Sequence, residues 1–353
     1  MDKNEILEQL ENQKESGKKI IGVFPHQMIP EEIIFASGAI PLRLSFFGPE
    51  EICMKGTEYL TPATCPLARS SIGFFEDKNP IFALIDGFIG GNYCNGDLCA
   101  SEYIAKYFNV PLIHFTIPWV NNLHAIKFYK NLLIEFKENL EKITHIQISD
   151  EILINSIQIY NQIRKKLQEI VPKIGMGFQF QNILNQLYLL GPEIFLHQFE
   201  KKENIQEPQD LKKDIAFTGS YVAIDDFILE LIENCGFNIK YNDSESIFYF
   251  EKEIPIDDPY SALSEFYLQH HYSSRMFKSE PRIDQLVSKI KYNGIKGIIF
   301  HVLKFCDPYI ATKKDVIDYL KEQGLVVLEL ERDYDQNIGQ LKTRIEAFKE
   351  MLE

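Results

Sequence analysis

The chain has 353 residues, 45% of them hydrophobic and 25% charged, with 37 Lys and Arg set against 51 Asp and Glu for a net charge of −14. At about 150 residues per domain this length predicts two or three domains, and the composition excludes a disordered, collagenous or coiled-coil chain. The acidic balance excludes the positive footprint of a nucleic-acid binder.

The first residues, Met1-Asp2-Lys3-Asn4-Glu5, carry both signs of charge, unlike the basic start of a signal peptide. No stretch reaches the roughly 18 apolar residues of a membrane span. A cytoplasmic protein without membrane contact is expected. Residues 1–18 read as a polar amphipathic helix and 19–24 as a short buried strand. Pro30-Glu31-Glu32 should open a helix, because Pro fits the first turn and acidic side chains suit the N-terminal dipole. Strands follow at 39–44, 81–85 and 110–115, with helical stretches between them, such as 101–108. Strands alternating with helices predict an α/β fold with a parallel, doubly wound sheet.

Residues 122–200 change character. Phe128, Leu132, Leu133, Phe136 and Leu140 recur at helical spacing, and 152–171 continues the pattern. The polar run 206–210 reads as a linker. The alternation then restarts, with strands at 214–218, 237–241, 297–302 and 325–330 and helices at 224–235, 311–323 and 340–352. The expected division is an N-terminal α/β domain over 1–121, a helical connecting segment over 122–205 and a C-terminal α/β domain over 206–353.

Six cysteines in a chain this long are too sparse for a disulfide scaffold. Open parallel sheets bind ligands beyond the carboxyl ends of their strands, and three cysteines fall at such places. Cys65 precedes a helix with Pro66 at its first position. Cys94 follows the expected strand at 81–85 and a turn made by Gly87, Gly90 and Gly91, and opens a helix. Cys306 ends the apolar run from residue 298. A helix N-terminus lowers a thiol's pKa, and the thiolate is the form that binds metal. A group held by all three would sit between the two halves. Thiolates select zinc, copper(I) or an iron–sulfur cluster. Structural zinc sites use closely paired ligands, and this chain has no CxxC. Three thiolates with one open position suit a cluster instead. Buried cysteine is also common in plain cores, and spacing alone leaves those two readings balanced. Cys99, about 140° around a helix from Cys94, is expected to pack elsewhere. Cys235 stands at a helix C-terminus, where the dipole disfavours thiolate, and Cys53 in a loop without an evident partner.

Longer stretches carry a resemblance. Pro30-Glu31-Glu32-Ile33-Ile34 with Ala36-Ser37-Gly38-Ala39-Ile40-Pro41, Thr64-Cys65-Pro66 with Arg69-Ser70, Asn92-Tyr93-Cys94-Asn95, the run from His301 to Tyr309 and Thr343 to Phe348 resemble the 2-hydroxyacyl-CoA dehydratase and benzoyl-CoA reductase family. The resemblance implies two Rossmann-like domains holding a 4Fe–4S cluster through Cys65, Cys94 and Cys306. It further implies pairing with a related α-type subunit and one-electron activation by a separate ATP-dependent iron–sulfur protein. The reaction implied is loss of water from a 2-hydroxyacyl-CoA through a ketyl radical. Many relatives carry Asp directly after the middle cysteine, whereas Asn95 here resembles the β-type subunit. No GxxxxGK[ST] phosphate loop occurs, so ATP hydrolysis is expected in another protein. Two alternatives stand beside this reading: a subunit of an ATP-dependent acyl-CoA reductase, including one holding a larger cluster on all six cysteines, and a non-catalytic α/β binding or assembly protein.

Further candidates are weaker. His26, just past the first strand, could face the cleft and bond a thioester oxygen or move a proton. Glu32, or its neighbour Glu31, is a second catalytic candidate, although both suit a helix start regardless of function. Arg275, after His270 and His271, reads as a surface-loop residue able to meet a phosphate or carboxylate. Arg344 is expected to pair with a carboxylate. Gly87, Gly90 and Gly91 do not fit GxGxxG and read as a tight turn.

Overall fold

A computed structural model describes residues 3–24, 28–201, 213–270, 274–277, 280–334 and 337–353, with the backbone alone at 200, 201 and 270. His26 and the expected linker at 206–210 lie outside the described residues. Two parallel four-stranded sheets organise the rest. The first comprises β1 (Ile20–Val23), β2 (Ile40–Arg43), β3 (Gly87–Gly91) and β4 (Leu112–Phe115) in the order β2-β1-β3-β4. The second comprises β5 (Lys213–Gly219), β6 (Phe237–Asn242), β7 (Gly297–Leu303) and β8 (Val326–Arg332) in the order β6-β5-β7-β8. The fold is α/β, with two Rossmann-like sheets of the same strand order. Each has its switch point between the first and third strands, where such sheets take ligands.

Apolar strands arise because both sheet faces are covered. Ile20 and Phe24 join the core on one side of the first sheet, while Ile21 and Val23 join the core on the other. Ala216 and Ile215 part in the same way in the second sheet. The N-terminal helices are α1 (Lys3–Glu15), α2 (Glu31–Ala36), α3 (Glu50–Gly56), α4 (Pro66–Glu76), α5 (Pro80–Ala83) and α6 (Asn95–Phe108). Three long helices follow: α7 (Leu123–Thr144), α8 (Asp150–Ile174) and α9 (Phe178–Lys201). The C-terminal set is α10 (Ile228–Asn234), α11 (Pro259–Glu265), α12 (Glu280–Tyr292), α13 (Asp307–Glu322) and α14 (Ile338–Met351). Among the described residues no helix is long and apolar enough to cross a membrane.

Three sequence expectations change. The apolar run at 81–85 is not a strand. Asn79 caps it by accepting the Ile81 N–H at 3.0 Å, Pro80 takes the first position, and a single helical turn buries Ile81 and Phe82. The strand is the glycine run after it, read from sequence as a turn. Glycine is needed there because a Cβ on Gly90 would lie 2.5 Å from Ser101 Oγ. The helix expected from 224 starts at Ile228, since Ile224 bridges instead to Phe46 in the other half. The Ile224 N–H donates to the Ser45 carbonyl at 2.7 Å, and the Phe47 N–H to the Ile224 carbonyl at 2.8 Å. In α7, Phe128 faces solvent and Tyr129 takes the buried place.

A second tie between the halves is the Arg69 guanidinium of α4. It reaches Asp333 after β8 at 3.0 Å and donates to the Thr64 carbonyl at 2.9 Å, next to Cys65.

Glu32 lies in a buried ionic network. It is fully buried, pairs with Arg164 of α8 at 2.6 Å and accepts from the Tyr267 hydroxyl at 2.8 Å. Glu31 beside it pairs with Arg43 of β2 at 2.7 Å. These pairs fix α2 against both the sheet and α8. Removing one partner of a buried ion pair leaves an uncompensated charge. Arg164→Met should therefore lower stability by about 3–5 kcal/mol, and Arg164→Met with Glu32→Leu should lower it by less. Urea unfolding of both variants checks this, and additive losses would contradict it.

Candidate functional site

The two switch points converge on three cysteines. β3 and β7 are equivalent strands of their sheets, and each ends three residues before a cysteine, Cys94 after Gly91 and Cys306 after Leu303. Each cysteine is an N-cap: Cys94 of the 14-residue α6, Cys306 of the 16-residue α13 and Cys65 of the 11-residue α4. The turn into Cys306 uses a left-handed Phe305 with φ 61°, a conformation that a bulky residue adopts only where its surroundings enforce it. Cys65, Cys94 and Cys306 line one cavity of about 350 Å³, with Asp97, Glu245 and Arg275 in its wall.

The local bonding is specific. Cys94 Sγ accepts the Asp97 N–H at 3.4 Å, and its thiol donates to the Asp97 carboxylate at 2.9 Å. Cys65 takes backbone hydrogen bonds from Leu67 and Ala68. Three helix N-termini, each a partial positive charge with free N–H groups, thus carry thiols into one space. The sequence expectation of lowered thiol pKa values is reversed by the surroundings of the three thiols. Burial pushes all three thiols up. Cys306 and Asp97 add to it at Cys65, Asp97 adds to it at Cys94, and Glu245 and Asp97 add to it at Cys306. Arg275 works in the other direction at Cys94 and Cys306 without prevailing. Desolvation outweighs the helix ends. Among the described residues no three His, Cys, Asp or Glu side chains form a group able to hold a single metal ion.

The other cysteines divide. Cys99 is exposed and stands on the cavity's rim. The angle from Cys94 misplaced it because Cys94 precedes the helix and lies off its wheel. Cys53 is in α3, buried, its thiol donating to the Gly48 carbonyl at 3.3 Å. Cys235 caps the C-terminus of α10 in a separate core with Phe348. Glu32 is not among the cavity-lining residues. Arg275 is no surface residue: its side chain is 10% exposed and pairs with Glu245 at 3.2 Å. Arg344 donates to the Glu329 carbonyl at 2.6 Å rather than to a carboxylate. Sequence reasoning missed Asp97 and Glu245. Asp97 had a signal in its place three residues after an N-cap, and Glu245 in a polar run just past a strand end.

Because the thiolate is the reactive form, the apo-protein's cysteines should react unequally. At pH 7.5 iodoacetamide should modify the exposed Cys99 well before Cys65, Cys94 or Cys306. Peptide mass spectrometry of timed samples reads this, and equal rates would contradict the burial argument.

The family model described as 2-hydroxyglutaryl-CoA dehydratase, D-component, matches residues 27–352. The chain is 25% identical to the (R)-phenyllactyl-CoA dehydratase beta subunit of Clostridium sporogenes, over 97% of this chain and 94% of the relative. It is 24% identical to the beta subunit of (R)-2-hydroxyglutaryl-CoA dehydratase of Acidaminococcus fermentans, over 96% and 94%. It is 23% identical to one of the subunits of benzoyl-CoA reductase of Thauera aromatica, over 92% and 88%. With two Rossmann-like sheets, and a family match running through Cys65, Cys94 and Cys306, this chain belongs to the 2-hydroxyglutaryl-CoA dehydratase D-component family.

Proposed function

We propose that this chain is the β-type subunit of a 2-hydroxyacyl-CoA dehydratase and holds a 4Fe–4S cluster through Cys65, Cys94 and Cys306. The observation that carries the reading is the convergence of three N-capping thiols, two from the first half and one from the second, on one cavity. The donor set suits a cluster better than a lone ion. The three thiols lack the closely paired CxxC spacing of a structural zinc site. A cluster gives each thiolate its own iron and accepts wider spacing. When bound, it would supply one-electron chemistry and an iron able to take an oxygen ligand.

The chain's own groups do the holding. The ends of α4, α6 and α13 place positive dipole ends and N–H groups against negative charge. Arg69 fixes the loop before Cys65 by bonding the Thr64 carbonyl. The buried thiols must release their protons on loading, so loading should favour higher pH. The partners in this reading are a related α-type subunit, an acyl-CoA substrate and a separate ATP-dependent activator; relatives named as beta subunits support the first. The relative named as part of a reductase keeps an acyl-CoA reductase as the second reading. A larger cluster on six cysteines is disfavoured, because Cys235 packs in a different core.

Anaerobic reconstitution with iron and sulfide should give a brown protein with about four irons and four sulfides per chain. Cys65→Ala, Cys94→Ala and Cys306→Ala should each lose most of the visible absorbance, while Cys235→Ala should keep it. Colourless wild-type protein under these conditions would reject the reading. In a protein whose cysteines only pack, Cys306→Ala would cost about 1–2 kcal/mol and leave no spectral trace.

A further inference from the structure

We propose that Arg275, held in place by Glu245, is the charge-balancing residue of the cysteine cavity and sets how readily the group bound there accepts an electron. The inference rests on the cluster reading above. Arg275 is not a ligand and touches no reacting atom. It is a positioning residue acting through charge.

The geometry is built rather than incidental. The Arg275 side chain is nine-tenths buried in the cavity wall. Its guanidinium lies over the Tyr93 ring at 4.5 Å, and Tyr93 is the residue before Cys94. Its Nη1 is 3.2 Å from Glu245 Oε1. That same oxygen accepts the Ser274 hydroxyl at 2.9 Å and the Tyr309 hydroxyl at 3.0 Å. Ser274 is the chain neighbour of Arg275, and Tyr309 lies three residues past Cys306 in α13. Ser274 and Tyr309 thus fix Glu245, which holds the guanidinium on one side while the Tyr93 ring supports it on another. Electrostatics place the charge where it acts. An arginine side chain keeps its positive charge in proteins, and the Glu245 carboxylate 3.2 Å away works against the cost of burying it. Among the described residues lining the cavity, Arg275 is the one Lys or Arg, and Asp97, Glu245 and Asp307 line it too.

A centre bound by three thiolates becomes more negative by one charge when it accepts one electron from an external low-potential donor. A fixed cation in a desolvated wall favours the more negative state. Glu245 opposes it, so the two residues should move the reduction potential in opposite directions. A purely structural role would not separate them by sign.

The test uses the full chain, reconstituted anaerobically, with iron content and circular dichroism measured first and the midpoint potential then read by EPR-monitored titration with dithionite. Arg275→Gln should lower the equilibrium constant for reduction at least tenfold, which is 59 mV for one electron. Arg275→Lys should stay near wild type, and Glu245→Gln should shift the potential upward. If Arg275→Gln folds but takes up no iron while Arg275→Lys loads normally, the requirement for charge is also supported. An unchanged potential in Arg275→Gln, equal shifts in Arg275→Gln and Arg275→Lys, loss of iron from both, or an unchanged or lowered potential in Glu245→Gln would overturn the proposal. Wild-type chain without iron would instead overturn the cluster reading beneath it.

Discussion

Three thiols gathered at the ends of three helices are the constraint on which the rest of the molecule turns. A helix N-terminus attracts negative charge, and a desolvated cavity resists it. In this cavity the second effect outweighs the first and pushes the thiols of Cys65, Cys94 and Cys306 up. That balance makes the cavity unlike a nucleophilic cysteine site, where a thiolate must exist before its substrate arrives. The surrounding structure holds the sulfurs in place. Arg69 locks the loop before Cys65, and the Ser45, Phe47 and Ile224 backbone contacts lock the seam.

Repetition explains why the site falls where it does. Both sheets have the same order, and both equivalent third strands run three residues past their ends to a cysteine. A seam between two such sheets brings their switch points together. The glycines of β3 belong to this arrangement. They admit α6 so closely that a Cβ on Gly90 would meet Ser101, and α6 is the helix that Cys94 caps.

Much of this was legible in the sequence, and the failures have physical causes. Seven of the eight strands lie in segments that read as strands, because alternation with helices and burial on both faces leave continuous apolar runs. The miss came at 81–85, where a short apolar run serves helix or strand equally. The true strand beside it, Gly87–Gly91, has few side chains to announce it. The three cysteines were legible because strand ends and helix starts are local features. Cys99 was misread because a wheel angle was applied to a residue that precedes the helix. The tie of Glu32 to Arg164, 132 residues away, and the approach of Arg275 to Cys94 are long-range facts with no local signal. A carboxylate at a helix start looks the same whether it serves the dipole, a substrate or a distant arginine.

The two halves repeat their strand order but not what their crossovers supply. In the first half, the segment between β2 and β3 contributes Cys65 at the head of α4. In the second, the segment between β6 and β7 contributes no cysteine and brings instead Glu245 and Arg275. One crossover adds a thiol, and the other adds a cation with its tether. A fully symmetric site would have gathered four thiols and no compensating charge into a desolvated space, where each added thiolate is harder to ionise than the last. Breaking the symmetry at this one position puts an ion pair, Arg275 with Glu245, where a fourth thiol would stand, so the cavity gains a cation without gaining net negative charge.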